Sequence, residues 1–201
     1  MLAIIEAAGW PIWPIIIASV LALGIIGERL WSLRASEIAP SGLLDEVARE
    51  WKGKGAGEAL LNRLSLHSPL GRVFAAGLKN ADGSREVMKE AIEEAGRGAT
   101  GELERFLTTL GTIASVSPLL GLLGTVIGMV EIFGALKPSG GSPAELAHGI
   151  SVALYNTAMG LIVAIPSMIF YRHFRAKVDA LVLEMEMQAI KLVEFVHGER
   201  K

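Results

Sequence analysis

Hydrophobic residues collect in three long windows of the chain that almost entirely lack Asp, Glu, Lys and Arg. The windows cover residues 7–27, 106–136 and 146–171, and Glu131 is the one charged residue that interrupts them. Each window supplies the roughly 20 consecutive apolar residues that a ~30 Å hydrocarbon core requires. The pattern therefore predicts an all-α integral membrane protein with three transmembrane helices.

The second and third windows predict helices that are longer than the membrane is thick. As an α-helix, residues 106–136 would be about 46 Å long. Beyond the third window, Val178, Leu181, Met185 and Val193 keep the apolar spacing of a helix. We therefore expect long cytoplasmic helical extensions of helices two and three.

The distribution of basic residues predicts how the chain is oriented. Twelve Lys and Arg residues lie from Arg29 to Arg105, six follow Tyr171, one lies at Lys137 and none precedes the first helix. Cytoplasmic segments carry the excess of Lys and Arg, so the N-terminus is expected to be periplasmic. The predicted order is a first transmembrane helix (1–32), a cytoplasmic helical segment (33–105), a second transmembrane helix (106–136), a periplasmic loop (137–145), a third transmembrane helix (146–171) and a cytoplasmic C-terminal helix (172–201).

Composition narrows the classes of function. Hydrophobic residues make up 51% of the chain and charged residues 20%, so it is more apolar than an average soluble domain. Cysteine is absent, which excludes a disulfide framework and thiolate chemistry. The net charge of -2 gives no indication of nucleic-acid binding. A secretory signal peptide would begin with basic residues, but the first is Arg29, so the first window is expected to remain as an anchor.

Small residues form one face on each of the last two predicted helices. At about 100° per residue, the face of helix two contains Ser117, Gly121, Gly124, Thr125 and Gly128. The face of helix three contains Gly149, Ala153, Asn156, Thr157, Gly160, Ala164 and Ser167. Two interpretations stay open: small residues let helices pack closely, or the two faces line a polar passage or surround a partner's helix. Threonine hydroxyls also bond to their own helix, so they do not decide between the two.

Few ionisable residues lie in the predicted spans. Glu131 is near the outer end of helix two and is expected to reach the headgroups, and His148 stands at the outer entrance of helix three. No second ligand accompanies His148 at a metal-binding spacing, so we expect no metal and no cofactor. An intramembrane enzyme would need a carboxylate pair, a Ser–His combination or a metal cluster, and the sequence shows none. We therefore do not expect an enzyme.

Two segments, SPLLGLLGTVIGMVEIFGAL and HGISVALYNTAMGLIVAIPSMIFYRHF, together with GERLWSL after the first helix, resemble the MotA/TolQ/ExbB proton channel family. The three-helix ExbB/TolQ branch fits best. The resemblance implies a homopentamer in the lipids of the bacterial inner (cytoplasmic) membrane, with helices two and three around a central pore. A dimeric ExbD- or TolR-like partner would place its helices, and the proton-carrying carboxylate, in that pore.

The same resemblance implies a motor driven by the proton-motive force that acts on a TonB- or TolA-like effector. An ExbB-like subunit energising TonB-dependent outer-membrane transport is the leading hypothesis. A TolQ-like subunit of the Tol-Pal envelope system and a non-conducting structural membrane scaffold are the alternatives. Sodium in place of protons stays open.

Site residues follow from the resemblance position by position. Thr125 in GLLGTVIG and Thr157 in YNTAMGL match the family's pore-facing threonines, and Asn156 beside them is a further pore-lining candidate. Small residues would keep the pore wall smooth: Ser117, Gly121, Gly124, Gly128, Gly149, Ala153, Gly160 and Ala164. Many relatives have a glutamate where this chain has Val152, so a relay role for that glutamate does not transfer.

Overall fold

The structure is a computed structural model that describes residues 9–54, 57–135 and 143–198. Within these ranges it is helical and contains no strand, which confirms the all-α prediction. The helices are α1 (Ile12–Ser32), α2 (Ala35–Ile38), α3 (Leu43–Lys54), α4 (Glu58–His67), α5 (Pro69–Lys79), α6 (Arg85–Leu103), α7 (Leu107–Ala135) and α8 (Pro143–Val196). The predicted periplasmic N-terminus and most of the predicted loop 137–145 lie outside the described residues.

Three helical stretches of the described chain are long and apolar enough to cross a membrane, and they confirm the predicted number of spans. They are Ile12–Ser32, Arg85–Gly134 and Leu146–Val196. Within the second stretch, Phe106 has a backbone φ of 63°, a left-handed conformation that is uncommon for a bulky residue. Helix α7 begins immediately after it.

Two compact units make up the chain. The first combines Met1–Glu28 with Phe106–His173, and the second combines Arg29–Arg105 with Phe174–Lys201. In the first unit, α1 turns one face inward, and Ile12, Ile15 and Ala22 are buried there. The outward faces of this unit carry large exposed apolar side chains: Ile17, Val20, Leu23, Leu119, Leu122, Val126, Val130, Leu154, Ile162, Ile165 and Ile169. Such a surface suits lipid or neighbouring subunits rather than water.

The second unit has its own apolar core, in which Phe74, Met88 and Phe174 are fully buried. A serine caps the start of α5: the Ser68 hydroxyl accepts a hydrogen bond from the Gly71 N–H at 3.0 Å. Ion pairs lie on the surface of this unit: Arg63 with Glu46 and Glu50, Arg72 with Glu102, and Arg175 with Glu104 and Asp179. The hydrogen bond to Glu50 raises the pKa of the Arg63 guanidinium.

Both long helices continue through an internal proline. Pro118 lies inside α7, which has 29 residues, and Pro166 lies inside α8, which has 54. A proline removes one backbone hydrogen bond, and neighbouring helices resatisfy the freed carbonyl. The helices are therefore long enough for the predicted extensions, whose cytoplasmic location stays a prediction.

Candidate functional site

The small-residue faces of α7 and α8 pack against each other in the first unit. A methyl group at Gly121 would lie 2.7 Å from the Asn156 carbonyl oxygen and 2.9 Å from the Thr157 Cα. A methyl group at Gly160 would lie 2.5 Å from the Ser117 carbonyl oxygen. Because these neighbours are backbone atoms, they cannot swing away as a side chain would. Glycine is therefore required at both positions for the two backbones to approach this closely.

The same close contact continues toward the other end of the helix pair. At Gly124 a methyl group would meet the Asn156 side chain at 2.7 to 2.9 Å, and at Gly128 it would lie 3.0 Å from the Ala153 Cβ. At Gly149, a methyl group would lie 2.7 Å from the Ile132 side chain. The predicted small faces are thus facing surfaces of one helix pair. Close helix packing is directly visible, whereas the role of these residues as a pore wall stays a prediction.

Two threonine hydroxyls meet at the centre of this contact. Thr125 Oγ1 and Thr157 Oγ1 are hydrogen-bonded to each other. Each also reaches a backbone carbonyl of the opposite helix at 3.2 Å, Thr125 that of Ala153 and Thr157 that of Gly121. A hydroxyl carries one proton, so the pair can donate two hydrogen bonds at a time among these acceptors. The pair therefore ties α7 to α8 in a reciprocal arrangement.

The three predicted pore-lining residues are brought together, but their exposure differs. Thr125 and Thr157 are half-buried, whereas Asn156 is only 2% exposed and its amide lies over Gly124. Ser117 is fully buried, and its hydroxyl has no hydrogen-bond partner among the described residues. The hydroxyl edge of the helix pair is thus the part that solvent or another helix can reach in a single copy of the chain.

The remaining predicted positions lie away from this cluster or at its ends. Ala164 is buried further along α8, and Val152 is half-buried. Glu131 and His148 are exposed. In the described part of the chain, no group of three His, Asp or Glu side chains is placed to hold a metal ion. The cluster at the helix contact consists of hydroxyl, amide and carbonyl groups, which do not titrate near neutral pH.

Sequence reasoning began the small face of helix two at Ser117 and missed its earlier part. Gly111 packs against the Tyr171 ring, where a methyl group would lie 3.1 to 3.3 Å from the ring carbons. Ala114, one turn later, is buried. The spacing of three residues from Gly111 to Ala114 and from Ala114 to Ser117 could have revealed this continuation. The carbonyl acceptors of Gly121 and Ala153 carry no side-chain signature, so no pattern could have indicated them.

These features define a multi-pass membrane protein whose candidate site is a close-packed helix pair with polar groups at one edge. Residues 65–187, which include both threonines and most of α8, match the family model of the MotA/TolQ/ExbB proton channel family. The chain belongs to this family, which is a transport and proton-channel family rather than a family of enzymes. The resemblance inferred from the two motifs is thereby confirmed.

Similar proteins carry names from both systems of the ExbB/TolQ branch. The putative biopolymer transport protein ExbB-like 3 of Synechocystis sp. is 31% identical over 166 residues, which cover 81% of this chain and 79% of the relative. The biopolymer transport protein exbB1 of Vibrio cholerae is 32% identical over 172 residues, 81% of this chain and 73% of the relative. The Tol-Pal system protein TolQ of Haemophilus influenzae is 34% identical over 150 residues, 66% of this chain and 65% of the relative.

Proposed function

We propose that this chain is an ExbB-like subunit of a motor driven by the proton-motive force in the bacterial inner membrane. Five copies would form a pore around the helices of an ExbD-type partner dimer and energise TonB-dependent outer-membrane transport. The observation that carries the proposal is the close-packed α7–α8 pair with its bonded threonines, inside the segment that matches the proton channel family. The ExbB names of two similar proteins support it.

The geometry suits a pore wall that keeps its shape while a partner moves inside it. Backbone contacts at Gly121 and Gly160 leave the two helices no room to slide, because protein interiors tolerate little overlap. The half-buried hydroxyls of Thr125 and Thr157 offer hydrogen bonds at the edge of this wall. In this proposal the titrating carboxylate belongs to the partner, and the present chain supplies fixed polar groups around its path.

The topology belongs to the same proposal. The span at α1 would enter from the periplasm, residues 33–105 would lie in the cytoplasm, and the later part of α8 would extend into the cytoplasm as well. At about 1.5 Å per residue, the 54 residues of α8 correspond to roughly 81 Å of helix, more than twice the hydrocarbon thickness. The excess of Lys and Arg in the two proposed cytoplasmic parts supports this orientation.

Removing the threonine hydroxyls tests the proposed function. Thr125→Val and Thr157→Val keep the side-chain shape and delete the hydroxyl, so both variants should assemble with the partner yet lose most proton-driven activity. Proton flux into liposomes that contain the chain with its ExbD-type partner is the measurement. Thr112→Val is the matched control, since among the described residues the Thr112 hydroxyl bonds only to the Thr108 carbonyl of its own helix, at 2.9 Å. Full flux in both assembled test variants would disprove the polar-pore role.

A TolQ-like subunit of the Tol-Pal system is the second candidate, because the Haemophilus influenzae TolQ matches at 34% identity. Complementation separates the two roles. The chain with its own partner should restore TonB-dependent uptake in a strain that lacks ExbB and should leave the envelope defect of a strain that lacks TolQ uncorrected. The reverse result would assign the TolQ-like role, and rescue of neither strain by an expressed, membrane-inserted chain would favour the structural scaffold.

A further inference from the structure

A small cleft opens in the second unit between α3 and the end of α8. It has a volume of about 280 Å³. Its lining residues are Leu44, Asp45, Ala48, Arg49, Lys52, Lys191 and Phe195. The five residues from α3 recur at one-turn spacing and so share one face of that helix. Nothing in the proposed pore function uses this cleft.

The charges around the cleft are unbalanced. Arg49, Lys52 and Lys191 contribute three positive charges, and Asp45 contributes one negative charge. In the described ranges, none of the three cations forms an ion pair with a carboxylate. Arg49 Nε instead donates to the Asp45 backbone carbonyl at 3.3 Å. Among the described residues, the cleft is therefore a cationic concavity with three positive charges and one negative charge in its lining.

The other carboxylates of α3 are occupied elsewhere. Glu46 and Glu50 both bind Arg63 of α4, at 3.1 and 2.7 Å. Helix α3 thus directs two acids to a neighbouring arginine on one side and two bases into the cleft on the other. Cations that share a small concavity repel one another, and a bound anion removes that repulsion.

The side chains indicate the chemistry of the anion. The planar guanidinium of Arg49 matches a phosphate with two parallel N–H donors, and the two lysines supply point charges. The Lys52 ammonium lies 5.2 Å from the centroid of the Phe195 ring, which holds it by a cation–π contact at the cleft. Phe195, Leu44 and Ala48 add an apolar surface beside the cations.

We propose that this cleft is a binding site for a phosphate group carried by a small molecule with an apolar or aromatic portion. A volume of about 280 Å³ is close to the lower end of small-molecule pockets, at roughly 300 Å³, and suits a nucleoside monophosphate better than a larger polyphosphate. A phospholipid headgroup presents the same phosphate chemistry, so the test must separate a free ligand from a lipid.

Direct binding to the full chain in detergent micelles tests the proposal. The probes are inorganic phosphate and adenosine monophosphate, titrated calorimetrically at constant ionic strength. We expect binding to weaken at least about tenfold in the double variant Lys52→Gln/Lys191→Gln, since roughly 1.4 kcal/mol corresponds to that factor. Lys79→Gln is the matched control: Lys79 is an exposed lysine near the end of α5, outside the cleft, and its variant should bind as the native chain does.

Thermal unfolding supplies a second measurement, which shows whether the double variant is folded. Without added anion, the double variant should unfold at about the same temperature as the native chain, because the relief of repulsion between like charges offsets the loss of the Lys52–Phe195 contact. Adenosine monophosphate should raise the midpoint of the native chain and of Lys79→Gln, but not that of the double variant. A double variant that unfolds earlier and still responds to the nucleotide would overturn the assignment.

Further binding experiments with lipid and peptide probes identify the source of the phosphate. In one outcome, the chain binds nanodiscs that contain phosphatidylglycerol and binds neither soluble phosphate probe. If that binding is lost in the double variant Lys52→Gln/Lys191→Gln, the result supports the phosphate site and identifies a lipid as its source. Equal binding by the native chain, the double variant and the control would show adventitious ion association only and would refute the site. Specific binding of an acidic peptide, with no response to any phosphate probe, would refute it as well.

Discussion

The close contact between α7 and α8 depends on the absence of a side chain at individual glycines. At Gly160 the space for a side chain is already filled by the Ser117 carbonyl oxygen and by the Gly121 Cα, at 2.5 and 3.1 Å from an added methyl group. At Gly134, also on α7, an added methyl group would meet no atom of the described residues within 4 Å. Close packing therefore requires glycine at position 160, whereas the described residues give no such requirement at position 134.

Gly160→Ala should destabilise the chain by about 1–3 kcal/mol, because the methyl group would force the two backbones apart. Gly134→Ala should be neutral or stabilising by up to about 1 kcal/mol, since alanine is the better helix former. Denaturant unfolding in detergent, followed by circular dichroism, measures both variants. Equal stability of the two variants would contradict the packing that the structure shows.

Sequence patterns predicted much at this scale, but not the pairing of residues. The spacing of Gly121, Gly124 and Gly128 was sufficient to predict a smooth helix face. It could not show that Asn156 lies on Gly124, nor that the two threonine hydroxyls bond to each other. A contact between two helices depends on their relative register, and the periodicity of each helix does not indicate that register.

At the scale of elements, the end of α1 and the end of α6 are joined in the second unit by a buried arginine. Arg29 is 5% exposed, and its Nη1 donates to the Leu103 carbonyl at 3.2 Å. Carbonyls in the last turn of a helix lack partners within the helix and carry a partial negative charge, which a cation stabilises. The GERLWSL motif that contributed to the resemblance therefore contains a residue with a structural role.

Arg29→Ala should cost about 1.5–3 kcal/mol of stability, the range for a hydrogen bond to a charged group. Arg34→Ala is the matched control: Arg34 is exposed, and its guanidinium lies 4.3 Å from the Trp31 ring centroid, a contact worth at most about 1 kcal/mol. Thermal midpoints of the two variants in the same detergent provide the comparison. If Arg34→Ala lowered the thermal midpoint more than Arg29→Ala, the buried hydrogen bond from Arg29 to Leu103 would not be the main contribution to stability.

At the scale of the whole molecule, the first unit leaves a wide apolar surface outside its own core. Leu119, Leu122 and Ile162 are each more than half exposed in the single chain. Lipid covers part of such a surface in a membrane protein, and neighbouring subunits cover more in an oligomer. The proposed ring of five copies would account for the portion that faces other subunits.

Native mass spectrometry of the purified chain in detergent should show five copies per complex. The same experiment after coexpression with an ExbD-type partner should add the mass of two partner chains. Leu23→Ala, on an outward face of α1, is a useful reference for an exposed apolar position whose truncation alone should leave the mass unchanged. Any other predominant number of copies would refute the pentamer.

The sequence by itself determined the membrane class, the number of spans and the small faces of helices two and three. These depend on local properties: about 20 consecutive apolar residues favour hydrocarbon wherever they lie, and a helix repeats its faces every 3.6 residues. Only the tertiary structure decided that the two small faces meet, that Gly111 extends one of them to Tyr171, and that Arg49, Lys52 and Lys191 share one cleft. Such contacts join residues far apart in the chain, and their geometry follows from the packing of whole helices.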